Sequence, residues 1–358
     1  MDINSAHIFE DESVLSKATR HPAENTIEHS FNGKITIAGK EYKNYCNCNF
    51  LGFGDAELKQ AAANASSERV ITSSCGKSIT QNNLENNLAW FTGYEKATVF
   101  SSYNALTSDI FEALLNNKDA VIFDENINYS LLKGIRLCKT SSSRFAHNDI
   151  SDLEKQLIIN QGKRLRIIVT QGIFSVKGDC ADVKEILRLA RSYNAVTLID
   201  DSFGLGTCGK SGIGTDEFFG LTAGFDIKIC SMQNALCCSS GAFVASDKNI
   251  IDLILLRSKS YKTDLSMSES NLFKAFFTLE EIKKSSLRAD KMRYQTDKIY
   301  NMLKEKGLNP FKSIAGIVSY TTDKNEITAM EEVKSLGFVC PLFKTGKTLT
   351  VSMRISAV

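Results

Sequence analysis

"AVTLIDDSFGLGTCGKSGIG", residues 195–214, opens as an apolar run, stops on two adjacent acids and continues as a glycine-rich turn. A strand that ends in carboxylates and empties into glycines suits an open α/β sheet, where ligands gather beyond the carboxyl ends of the strands. Inside the turn, GLGTCGKS (204–211) satisfies the phosphate-loop pattern GxxxxGK[ST] letter for letter. That pattern holds phosphate when a helix begins at its Lys-Ser, so that backbone amides face the anion. Here Gly212, Ile213 and Gly214 follow instead, and each interior glycine costs a helix about 1 kcal/mol relative to alanine. The acids also precede the loop, whereas a nucleotide reading wants a magnesium-binding acid on another strand. The match reads as accidental, and the nucleotide alternative would rest on Lys210.

Working outward, strand and helix patterns alternate on both sides. Upstream lie "NNLENNLAWFTG" (82–93, helical, ending at Gly93), a strand "ATVFSS", a helix "NALTSDIFEALLNN", a strand "AVIFD", helices "SLLKGIRLCK" and "DLEKQLI", a strand "RLRIIVTQG" and a helix "DVKEILRLARSYN". Runs such as "RIIVT" are apolar on both faces, which argues for a mainly parallel sheet covered by helices. Residues 1–65 are polar and read as an arm with a short hairpin around Ile35-Thr36-Ile37 and Gly39. Residues 66–248 form the large α/β domain. Residues 249–358 read as a long helix, to about Lys306, leading into a smaller α/β domain with strands in "IAGIVSYTT" and "KTLTVSMRIS" around a helix "AMEEVKSLG".

Composition narrows the function. Hydrophobic residues make up 43% and charged residues 23%, as in a soluble globular protein, and the net charge of +2 offers no basic block for nucleic acid or anionic lipid. Ten cysteines are scattered without a secretory leader and read as thiols of a reducing compartment. Cys46-Asn47-Cys48 and Cys237-Cys238 lack zinc-site spacing, so no metal is expected. Even "IIDLILL" (250–256) carries Asp252 and is too short to cross a bilayer, so no transmembrane segment is expected.

Several segments, in order, resemble the α-oxoamine synthases. "NCNFLGF" (47–53) is similar to that family's Asn-Tyr-Leu-Gly entry motif. "LENNLAWFTGYEKATVFSSYNAL" (84–106) resembles its Leu-Glu helix and Gly-x-Glu-x-Ala strand, and "FAHNDISDLEKQL" (145–157) its His-Asn-Asp turn. The glycines at 206, 209, 212 and 214 fall where the family places its own. The resemblance covers residues 44–250 well and the C-terminal domain loosely. It implies a fold-type I transferase dependent on pyridoxal phosphate, an electron sink for amino-acid carbanions.

That chemistry calls for a carboxylate at the pyridine nitrogen, a stacking ring, a phosphate cradle and a Schiff-base lysine. By resemblance Asp200 is the carboxylate; a loop-capping acid is its plain alternative. Ser102, Tyr103, Asn128 and Ser231 are vestigial or supporting cofactor positions, although Ser and Asn before helices are also ordinary N-caps. Asn128 and Phe203 stand where catalytic members carry His. The lysine itself is absent: in "DIKICSMQNALCCSSGAF" (226–243) Asn234 holds its position, and an amide cannot form an imine. Lys228 lies six residues earlier, about 20 Å away along a strand at roughly 3.3 Å per residue, and reads as a strand-end surface lysine.

Met232, Asn234, Ala235 and Leu236 resemble the Met-x-Asn-Ala-Leu of non-catalytic subunits in the family's heterodimeric, serine-condensing branch. Cys75-Gly76 resembles a Cys-Gly pair there. The resemblance implies a lysine-bearing catalytic partner that binds the cofactor covalently, a shared site for serine and a long-chain acyl-CoA, and Cys75, Gly76 and Asn104 at the interface. It also implies residence at the cytoplasmic face of the endoplasmic reticulum, peripheral or held by the partner, or otherwise in the cytoplasm. An autonomous acyltransferase using another lysine and a non-enzymatic scaffold are the alternatives. An arginine near Ser352 or Arg354 receives no role.

Overall fold

The two-faced apolar runs become neighbouring strands. A computed structural model of the chain describes residues 26–31, 33–63, 65, 75–345 and 348–357. Residues 1–25 of the arm lie outside these. The described part of the arm forms β1 (Ile27–Phe31), β2 (Lys34–Ile37) and β3 (Lys40–Asn44). Ala38 and Gly39 join the last two, both at positive φ (49° and 70°), as a two-residue hairpin of matching twist requires.

The chain then alternates: α1 (Asp55–Ala61), α2 (Ile79–Thr92), β4 (Lys96–Phe100), α3 (Tyr103–Leu114), β5 (Ala120–Asp124), α4 (Tyr129–Leu137), β6 (Ser141–Phe145), α5 (Ile150–Ile159), β7 (Arg166–Gln171), α6 (Val183–Ser192), β8 (Val196–Asp200), the single turn α7 (Thr215–Phe218), β9 (Ile227–Ser231) and β10 (Ala242–Ser246). The helix starts are written in the side chains: Ser78, Ser102, Asn128, Asp149 and Asp182 each accept from an amide two or three residues on. Each such cap contributes about 1 kcal/mol.

The seven strands order as β4-β10-β9-β8-β7-β5-β6. β10 runs antiparallel to both of its neighbours, and the strands from β9 to β6 pair in parallel. Every residue of β7 is buried, as helices on both faces demand. β6, "SSSRF", went unread in the sequence: it is an edge strand, mostly exposed and polar, and carries no apolar signal.

The stretch read as one long helix is four: α8 (Lys248–Arg257), α9 (Lys259–Thr263), α10 (Glu269–Lys284) and α11 (Leu287–Glu305). Serines make the breaks. Ser258 ends α8 and caps α9, Ser268 caps α10, and Ser285 is extended at φ −161°. Beyond them, β11 (Phe311–Lys312), β12 (Ile317–Thr322), α12 (Glu326–Ser335), β13 (Phe338–Val339), β14 (Leu342–Thr345) and β15 (Thr348–Arg354) complete the chain. An antiparallel sheet β11-β12-β15-β14 packs with Ile299 and Leu303 of α11, whereas Met292 of the same helix joins Phe50, Phe203 and Ile317 in a second apolar cluster. β13 pairs in parallel with β3, so the hairpin and the C-terminal segment share a sheet.

Candidate active-site cleft

β8 ends on Asp200, whose carboxylate is buried beneath a cleft of about 380 Å³. Four donors meet its two oxygens. Tyr103 Oη donates to Oδ2 at 2.7 Å and Gln171 Nε2 at 2.9 Å; the Ser202 amide donates to Oδ1 at 3.1 Å and the Ser202 hydroxyl shares that oxygen. Burial pushes the Asp200 carboxyl above the usual range, and the Ser202 and Tyr103 hydrogen bonds pull against that rise.

Asp201, one residue on, does different work. It accepts from the Thr215 amide and from Lys228 Nζ, both at 2.9 Å. A Cβ on Gly204 or Gly214 would lie 2.0 and 2.1 Å from its oxygens, so the glycines let the loop wrap the carboxylate. Lys228 is no surface lysine. It is fully buried and contacts Asp201 and Asp216 at 2.9 and 2.6 Å. Burial opposes its charge, but the two carboxylates outweigh that and hold the ammonium well above the usual lysine range. It is tied down as a counter-ion.

The glycine loop is closed by the chain's own anion. Glu217 accepts from the amides of Ser211 (2.8 Å) and Ile213 (3.1 Å), and a Cβ on Gly209 would lie 2.2 Å from its Oε2. Only the four-residue α7 follows, so the phosphate-loop pattern lacks its helix, and a carboxylate already holds its Ser211 amide.

The structure gathers Ser102, Tyr103, Asn104, Asn128, Ser231 and Asn234 around the cleft above Asp200. Ser102 caps α3 and Asn128 caps α4, where Asn128 Oδ1 accepts from the Ser130 amide at 2.8 Å, so both caps also face the cleft. Asn234 Nδ2 donates to the Ser202 carbonyl at 2.7 Å. The Ser231 amide donates to Ser202 Oγ at 2.7 Å. Cys75 and Gly76 are not among the lining residues; Cys75 is exposed and Gly76 has φ 127°. Sequence reasoning missed Gln171, Ser130, Ser202 and Ser240. Gln171 alone carried a signal, as the polar residue closing "RIIVTQ".

Phe203 stacks edge-on to Phe50 and lies 5.4 Å from the guanidinium of Arg354. Arg354 is buried, donates to Ser352 Oγ and the Ser175 carbonyl at 2.5 Å each, and has no carboxylate partner among the described residues. The His-Asn-Asp turn is an anchor. His147 lies between Asp124 (2.9 Å) and Asp179, edge-on to Phe174 at 4.5 Å. Burial opposes its charge, but hydrogen bonds to both acids raise its pKa to about 9. Among the described residues there is no cluster that could hold a metal and no helix long and apolar enough to span a membrane.

Comparison with known proteins agrees with this architecture. The family described as aminotransferase class I and II matches residues 49–347. The mitochondrial 2-amino-3-ketobutyrate coenzyme A ligase of Mus musculus is 30% identical over 331 residues, 88% of this chain and 79% of that protein. Its Bos taurus counterpart is 36% identical over 227 residues, 61% of this chain, and the match spans about half (54%) of the bovine protein. A serine palmitoyltransferase from S. paucimobilis has the same fold, with a TM-score of 0.87 at 22% identity over 98% of this chain and 92% of that one. The chain belongs to the aminotransferase class I and II family, in its α-oxoamine synthase group, and has the fold-type I architecture.

Proteins of this fold use pyridoxal phosphate. The residues present do not fit its covalent attachment. Among the described residues no lysine lines the cleft, and Asn234 is tied to Ser202. A carboxylate offers about four lone-pair positions, and four donors already point at those of Asp200.

Proposed function

We propose that this chain is a non-catalytic subunit of serine palmitoyltransferase, resembling that enzyme's first subunit. It pairs with a lysine-bearing second subunit that condenses L-serine with palmitoyl-CoA to 3-oxosphinganine. The observation that carries the reading is Asn234 at the Schiff-base position, its amide nitrogen committed to the Ser202 carbonyl. Lys228, the nearest lysine along the chain, is locked between two aspartates in the core and is no substitute nucleophile. In this reading the chain walls and orders a cofactor site that the partner owns, with Asn104, Cys75 and Gly76 toward the partner. The large apolar interfaces of obligate dimers make such a subunit indispensable without its own chemistry. Contact with the endoplasmic reticulum comes through the partner.

Coexpression tests it. The chain alone should make no 3-oxosphinganine from serine and palmitoyl-CoA, and adding it to a lysine-bearing relative should raise turnover per catalytic subunit as well as the partner's abundance. A rise in abundance alone would leave a scaffold, and product from the lone chain would sink the proposal.

A further inference from the structure

Tyr103 opens α3, so the helix start fixes its backbone while its side chain crosses to the end of β8, 97 positions further along the sequence. Burial, and then Asp200, hold the phenol well above its ordinary value, so it stays a donor. The hydroxyl does not stand alone. Ser202 gives its amide and hydroxyl to Asp200, receives the Ser231 amide on its own Oγ, and offers its carbonyl to Asn234. Tyr103, Asp200, Ser202, Ser231 and Asn234 thus form one connected network across the floor of the cleft.

We infer that Tyr103 is a built-in plug: its phenol takes, from within the chain, the Asp200 contact that a pyridine nitrogen needs, and closes this cleft to pyridoxal phosphate independently of the missing lysine. The inference rests on the non-catalytic reading and adds a second lock to it. Restoring the lysine alone therefore leaves the site shut. Position 103 is the first residue of its helix, where alanine is well tolerated, so the lock can be removed without breaking the helix.

The test uses the full chain as wild type, Asn234→Lys, Asn234→Lys/Tyr103→Ala and Asn234→Lys/Tyr103→Phe. Each is incubated with pyridoxal phosphate, reduced with borohydride and digested, and the fraction of the peptide containing position 234 that carries the cofactor is read by mass spectrometry. The expected result is little labelling of Asn234→Lys and roughly tenfold more or better in the alanine double variant, the scale of one charge-assisted hydrogen bond. The phenylalanine double variant, which frees the Asp200 lone pair but keeps the ring and its volume, should fall between the two, and it decides the question if the alanine variant does not fold. Equal labelling of Asn234→Lys and the double variants overturns the plug and leaves the non-catalytic reading intact. Stoichiometric cofactor fixed by borohydride on another lysine of the wild-type chain, read in the same digest, overturns both.

Discussion

At the scale of single residues, charge is placed where the sequence alone says least. A lysine in the middle of "DIKICS" suggests an exposed strand end, because its partners are remote in sequence, Asp201 just past β8 and Asp216 in α7. Asp200 was legible, since a strand closing on an acid before spaced glycines is a local pattern. Its engagement by Tyr103 was not, because nothing local records a contact between a helix start and a remote strand end. His147 gives a measurable consequence. Its pKa rises from 6.5 unfolded to about 9 folded, so its stabilising contribution is fully present below pH 6.5 and is lost as pH rises through 9. Chemical denaturation of wild type and His147→Gln should show a stability gap that is widest below pH 6.5 and narrows above 9. A gap that widened with pH would contradict the doubly paired imidazolium.

At the scale of elements, legibility followed burial. β5, β7 and β8 are apolar on both faces and could be read directly, whereas β6 is a polar edge whose only sign is its pairing with β5. The four helices between Lys248 and Glu305 merged in the sequence because serine is both a tolerated helix residue and a cap, and only geometry separates the two uses. The glycine loop was legible as glycines but not as a loop sealed by Glu217. Its rigidity can be tested at Gly206, where φ is 76° and a Cβ would sit 2.6 Å from Ala235 Cβ, against the segment that presents Asn234. Gly206→Ala should cost about 1–3 kcal/mol by adding backbone strain to overpacking. Urea unfolding measures it, and a neutral result would mean that the two segments are not in firm contact.

At the scale of the whole molecule, the two ends of the described chain hold each other. Phe338 of β13 packs on Tyr45 with ring centroids 5.4 Å apart and sits among Val351, Met353 and Leu303. Phe338→Ala should cost about 3–5 kcal/mol and should accelerate proteolysis within residues 27–44, because β3 pairs with β13 through the segment that the phenyl ring anchors. Unchanged cleavage there would show that the hairpin holds without its partner.

That parallel pairing of β3 with β13 also sets an order of events at the ribosome. The early strand leaves the exit tunnel with its edge bare and waits for a partner encoded some three hundred residues later. At about 5–20 residues per second the delay is roughly 15–60 s. During that interval the growing polypeptide displays an unsatisfied sheet edge of the sort that invites mispairing.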